Sequence, residues 1–193
     1  MDFVARPMSL KARERILTTS ETLLIDAGLG SFTVDEVATL SGVAKSTIYR
    51  HFTSANELLI ATLDQMIEPF PTPDTGTLRE DLIAIAHTVL PSFGDPNLRR
   101  LLIGVIHAAT TDDDLHRIHR AMIDERKCPL RAVLDAAMAR GELPSSLPFE
   151  VAFDHLEGPF ATRWLHHPET LSGLDIEDTI DRAIAALRAG TTA

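Results

Sequence analysis

The chain has 193 residues, 45% apolar and 24% charged, with mean hydropathy near zero, a composition that is neither disordered nor membrane-spanning. Its formal net charge of −10 excludes a protein that coats nucleic acid through bulk positive charge. A single cysteine, Cys128, excludes an internal disulfide framework and a cysteine-clustered zinc site.

Alanine and leucine supply about a quarter of the chain while valine, tyrosine and tryptophan are sparse, which favours an all-α fold. The punctuation predicts about nine helices. The first runs over about residues 10–27, with Ile16, Leu17, Leu23 and Leu24 at helical spacing and Gly28 ending it. Thr33-Val-Asp-Glu36 reads as a capping box opening a short helix that Ser41-Gly42 stops. A second short helix follows over about 44–52, and Ser54-Ala-Asn-Glu57 caps a fourth that reaches about 67. Pro69, Pro71, Pro73 and Gly76 then form a breaker-rich linker, the best domain boundary in the sequence. Beyond it, Thr77 caps a fifth helix and Asp95-Pro96 opens a sixth. A long segment begins near Thr111 and its three aspartates, is expected to kink or split at Pro129, and ends at Gly141. Two more helices follow, from Pro148 to about 167 and over about 175–189.

Charge is unevenly spread. Arg6, Lys11, Arg13 and Arg15 crowd the first segment against one acid, Glu14, and residues 41–53 contain Lys45 and Arg50 with no carboxylate. The two short helices around Ser41-Gly42-Val43 have the size and spacing of a helix-turn-helix. Ala38 is small where the helices cross, Gly42 suits the turn, and Val37, Val43 and Ile48 are apolar where the pair packs. The second helix would expose Lys45, Ser46, Thr47, Tyr49, Arg50 and His51, a face of donors and bases that suits a DNA major groove. Tyr49 reads either as a half-buried core aromatic or as a phosphate contact through its hydroxyl. Phe52 is assigned to the core.

The stretch "FTVDEVATLSGVAKSTIYRHFTSANELLIATL", above all "GVAKSTIYRHF" and the capped helix after it, resembles the N-terminal domain of TetR/AcrR-type transcriptional regulators. The segments "LREDLIAIAHTVL", "LRAVLDAAMARGELP" and "HLEGPFATRWLHHPE" more weakly resemble a C-terminal ligand-binding domain of the same family. The resemblance implies a helix-turn-helix DNA-binding domain over 1–68 and a helical ligand-binding and dimerisation domain over 69–193. It implies DNA contacts from Thr33, Lys45, Ser46, Thr47, Tyr49, Arg50 and His51, with His51 favoured as a phosphate neighbour and Arg50 left open. Two departures stand out. Ala44 replaces the usual capping residue of the recognition helix, a loss of about 1 kcal/mol, and Ala55 replaces a basic residue that would meet a phosphate.

Enzyme signatures are absent: no phosphate-binding glycine loop, nucleophile elbow or zincin-spaced histidine pair is found. His116 and His119 with Asp112 could ligate a metal but read better as a solvated helix face, so no metal and no cofactor are expected. Cys128 is expected to be a buried or neutral thiol.

In the helix after Pro148, Phe149, Phe153, Leu156, Phe160 and Trp164 mark one face, and Val151, His155, Gly158, Thr162 and Leu165 much of the other. An uncharged second face suggests burial against a partner chain. With Ile180 and Ile184 of the last helix, these residues are the expected dimer interface. Phe93, His107, Met122, Phe153, Phe160 and Trp164 are the expected lining of a small-molecule pocket.

No long apolar stretch follows Arg6, so no secretory leader is visible, and the run over 101–109 is too short to cross a bilayer. A soluble, cytoplasmic protein is expected. The reading is therefore a ligand-responsive repressor, homodimeric on a pseudo-palindromic operator, whose partners are double-stranded DNA, a mostly apolar effector and itself. Its alternative is an architectural or interaction protein that keeps the DNA-binding head but senses nothing.

Overall fold

The computed structural model describes residues 7–168 and 173–189. Among them are nine α-helices, one short 3-10 turn and no strand: α1 (Pro7–Ala27), the turn Leu29–Ser31, α2 (Val34–Ser41), α3 (Lys45–His51), α4 (Ala55–Met66), α5 (Leu78–Phe93), α6 (Pro96–Ala108), α7 (Asp113–Ala139), α8 (Phe149–His166) and α9 (Ile176–Ala189). The all-α reading holds.

Local chemistry sets the helix starts. Thr33, Ser54 and Thr77 are N-caps in extended backbone, and their hydroxyls accept from the N–H of Glu36 (3.1 Å), Glu57 (3.1 Å) and Glu80 (3.3 Å). Each such bond satisfies one orphan donor of the first turn and contributes about 1 kcal/mol. At α4 the carboxylate of Glu57 also reaches back, accepting from the N–H and hydroxyl of Thr53 at 2.5 and 2.6 Å. At α5 the first N–H, that of Leu78, is met instead by Glu142 at 2.9 Å, a partner 64 residues away. Asp112 caps α7, accepting from Leu115 N–H at 2.9 Å. Pro129 does not split α7, which runs through it as one helix.

Two compact units result, and they are not consecutive in the chain. The first holds α1 to α4, the 3-10 turn, α6 and α7 as far as Ile123; the second holds α5, α7 from Asp124 onward, α8 and α9. The break at Ile67 coincides with the start of the proline-rich linker, and Pro96–Ile123 then return to the first unit.

In the first unit α1 is the central strut, packed on α2, α3, α4 and α6. Ile16, Leu17, Val37, Ile48, Phe52 and Leu58 are buried together there, each worth roughly 1.5–3 kcal/mol of apolar transfer. Arg100 of α6 donates to the carbonyl of Ile25 near the end of α1 at 2.9 Å, and Asn56 of α4 donates to Asp112 at 3.1 Å.

In the second unit α9 packs on α5 and α8 around Leu82, Leu134, Ala137, Leu156, Ile180 and Ile184. This corrects one expectation. Ile180 and Ile184 do not face a partner chain; they are buried in their own core. The α9 helix has a single apolar stripe, completed by Ala183 and Leu187, and that stripe is consumed by α5 and α8. Its other side shows Asp181, Arg182, Ala185 and Ala186 to solvent.

Candidate nucleic-acid interface

The turn between α2 and α3 is built from three separate devices. Gly42 ends α2 in the left-handed conformation (φ 64°, ψ 21°), which a side chain resists. The buried Ser41 hydroxyl accepts from Val43 N–H at 3.2 Å, and the guanidinium of Arg15 on α1 donates to the Ser41 carbonyl, the last of α2. A Cβ on Gly42 would come within 3.3 Å of that guanidinium. Composition shows Arg15 only as one base among several; its use as a strut for the turn depends on α1 crossing α2, which the local sequence does not reveal.

Behind the turn, Val37, Val43, Ile48 and Phe52 are buried as expected. Arg13 of α1 lies over the Phe52 ring, 5.5 Å from its centre. The α3 helix is therefore pinned by one side, through Ile48, and shows the other.

Of the residues expected to meet DNA, Lys45, Ser46, Tyr49 and Arg50 are exposed, Tyr49 at 51%, while Thr47 is half-buried. The exposure of Tyr49 removes the core-aromatic alternative. Thr33 is exposed, and since its oxygen already accepts from Glu36, its hydroxyl hydrogen remains to donate outward. His51 is half-buried, with its ring against Phe52 (6.3 Å between centres) and its Nε2 buried without a hydrogen-bond partner. Ala44 begins α3 with no side-chain cap, as its methyl group requires.

The segment 41–53 is free of carboxylates, but the fold brings one to it. Asp35, in the first turn of α2, forms an ion pair with Lys45 at the start of α3.

The helices match two family descriptions: "Bacterial regulatory proteins, tetR family" over residues 16–62 and "Tetracyclin repressor-like, C-terminal domain" over residues 72–183, more than half of the chain. The chain belongs to the TetR family. It is a helix-turn-helix transcriptional regulator rather than an enzyme. The DNA-binding transcriptional repressor TetR of Mycobacteroides abscessus is 32% identical over 166 residues, covering 82% of each chain. Among solved structures, the TetR family transcription regulator SCO0332 is 25% identical with a TM-score of 0.65, over 95% of this chain and 100% of that one. FadR from Bacillus subtilis, solved in complex with stearoyl-CoA, shares the fold at 17% identity, TM-score 0.65, over 92% of this chain and 98% of its own.

The expected effector-pocket residues of this TetR-family chain do not fall in one unit. Phe93, Phe153, Phe160 and Trp164 are half-buried in the second unit, where Trp164 meets Phe93 edge-on at 6.2 Å. Lys127 sits over Phe153 (4.2 Å) and Arg131 over Phe149 (3.7 Å). Burial pushes the Glu157 carboxyl of α8 above its ordinary range, against the pull of Lys127. His107 and Met122 belong to the first unit, His107 exposed on α6 and Met122 buried in α7.

On α8, Val151, His155, Thr162 and Leu165 are exposed and Gly158 half-buried; a Cβ on Gly158 would meet nothing within 4 Å. Asp112 is engaged by Leu115 N–H and Asn56, which hold its carboxyl below the ordinary range. Cys128 is exposed, not buried. No helix among the described residues is long and apolar enough to cross a membrane.

Proposed function

We propose that this TetR-family regulator is a ligand-responsive repressor that binds a pseudo-palindromic operator as a homodimer. The observation that carries the reading is the outer face of α3: Lys45, Ser46, Tyr49 and Arg50 point to solvent from a helix that itself bears no carboxylate. Such a helix fits a major groove, with Thr33, Thr47 and His51 at its margins. The DNA-binding role then falls to the helices before residue 68, and effector binding and dimerisation to 69–193. The repressor activity named for the Mycobacteroides abscessus relative supports the direction of control. A regulator of this kind works beside the chromosome, in the cytoplasm.

Dimerisation is assigned to α8. Val151 (42% exposed) and Leu165 (44%) are among the most exposed large apolar side chains, and Gly158 between them leaves room for a second helix. The same strip on a two-fold mate is self-complementary. For the effector, the half-buried aromatics of the second unit supply apolar area, and the stearoyl-CoA held by FadR is a precedent for a mostly apolar ligand on this fold. An effector changes operator affinity only if it favours one of two dimer conformations.

The test uses the full chain and the duplex it enriches from a random library. A dimer by light scattering at micromolar concentration is expected. Lys45→Ala should weaken binding and lower its salt slope, by at most about one, and Tyr49→Ala should weaken binding at all salt concentrations with little change of slope. A monomer, or unchanged affinity in both variants, overturns the reading.

A further inference from the structure

The ion pair between Asp35 and Lys45 lies on the surface through which α2 and α3 would meet DNA, and both side chains are open to water, at 71% and 55% exposure. A pair this exposed does little for folding. Its position matters more. Lys45 is the first residue of α3, where a cation gains nothing from the helix dipole, and Asp35 is in the first turn of α2, where an anion does. The arrangement therefore places a fixed negative charge against a base that is to neutralise a phosphate.

We propose that Asp35 sets the DNA affinity of this regulator by holding Lys45 in an internal pair that a phosphate must displace. The proposal rests on the reading of α3 as the DNA-contacting helix. In the free protein Asp35, not a solution anion, neutralises Lys45. When a phosphate takes Lys45, the carboxylate is left beside the DNA backbone and must recruit a cation. Binding is then weaker than the count of bases implies, and it releases fewer ions, since the ions freed at the phosphate are partly recaptured at Asp35. In a chain with ten net negative charges and few bases on this face, one such carboxylate is a large share of the local charge. This keeps the head off unselected DNA, where affinity is almost wholly electrostatic.

The experiment measures binding of the full-length protein to two duplexes of equal length, one enriched from a random library by the wild-type chain and one unselected. Proteins compared are wild type, Asp35→Asn, Asp35→Ala, Lys45→Ala and Asp35→Ala/Lys45→Ala, each checked for an unchanged helical spectrum; Asp35→Asn keeps a polar group in the first turn of α2. Both Asp35 variants should bind both duplexes about three- to fivefold tighter at about 0.1 M salt, with a salt slope steeper by up to about one. The gain should vanish when Lys45 is alanine. Unchanged or weaker binding by the Asp35 variants, while Lys45→Ala still weakens binding, overturns this inference and leaves the DNA-contact reading intact. A gain that persists without Lys45 overturns the route through the pair. Unchanged binding by Lys45→Ala on both duplexes overturns this inference, and the reading of α3 beneath it falls only if Tyr49→Ala binds unchanged as well.

Discussion

The two units of this protein differ in the range of the polar ties that set most of their helix ends. Each also holds the other kind, Arg100 on the Ile25 carbonyl across 75 residues in the first and the Thr77 cap in the second. In the head, the helix starts at Thr33 and Ser54 and the stop at Gly42 are decided by residues within three or four positions of one another. In the second unit the polar ties join distant segments. Glu142 caps α5 from 64 residues away, Arg140 pairs with Asp81 at a separation of 59, and Arg79 holds Asp181 of α9 across 102. Local devices are cheap to form early and specify one helix each. Distant ones exist only once the helices have docked, so they report on tertiary structure and fail together with it.

The contrast can be broken most severely at Asp81. Its side chain is only 1% exposed and accepts from the N–H and hydroxyl of Thr75, both at 2.7 Å, besides facing Arg140. Asp81→Ala leaves those donors without their acceptor and should cost about 2–3 kcal/mol, with Asp81→Asn costing less. Trp164, the sole tryptophan, lies in the second unit, so its emission during urea unfolding follows the affected region. Hydrogen exchange in α1 to α4 should stay near wild type. Equal losses in both units would mean that they unfold as one and that the contrast has no energetic content.

A smaller effect is expected from the head's most local feature. Gly42→Ala forces a side chain into left-handed backbone and towards Arg15, a cost of about 1–2 kcal/mol. Exchange protection should fall in α2 and α3, with DNA affinity falling alongside it. The Trp164 transition should keep its midpoint; a shift as large as that of Asp81→Ala would sink the assignment.

Acid separates the units more gently. In the first, burial and then the neighbouring His116 lower the His119 pKa from its ordinary 6.5. The unfolded chain therefore binds that proton more readily, and head stability declines as pH falls below 6.5. In the second, burial raises Glu157 above its ordinary 4.5, so the folded form takes up the proton first and this unit gains as pH falls towards 4.5. Lower still, the direction reverses. Burial alone would raise Glu142, but Leu78 N–H and Arg140 outweigh it and hold the carboxyl low, as Arg79 does for Asp181. Their stabilisation is present above the ordinary carboxylate range and lost as pH falls through the lowered values. Exchange protection in the head should thus decline as pH falls below 6.5, while the Trp164 transition holds or rises as pH falls towards 4.5. His119→Gln should remove the head's decline. A pH response shared equally by both units would contradict this.

Much of the head was legible from its residues because the deciding interactions are short in sequence. A hydroxyl three positions before a glutamate, a glycine after eight helical residues and an apolar residue at each crossing state their roles locally. The burial of Ile48 and the absence of a cap at Ala44 follow from that register, whereas the exposure of Tyr49, left open by the sequence, was decided by the fold. What the head's local sequence could not show is which partners arrive from elsewhere: Arg15 on the Ser41 carbonyl, Asp112 on Asn56, and Asp35 on Lys45.

The second unit was legible only as helices. Their number and starts follow from caps, prolines and periodicity, but the destination of each apolar stripe does not. Ile180 and Ile184 have the spacing of an interface and of a core alike, and docking of α9 on α5 and α8 decided for the core. In the same way, nothing local distinguishes α6, which belongs to the first unit, from α5, which belongs to the second. Amphipathic periodicity specifies that a face will be buried; which surface buries it is a property of all the helices at once, and only the folded chain has that information.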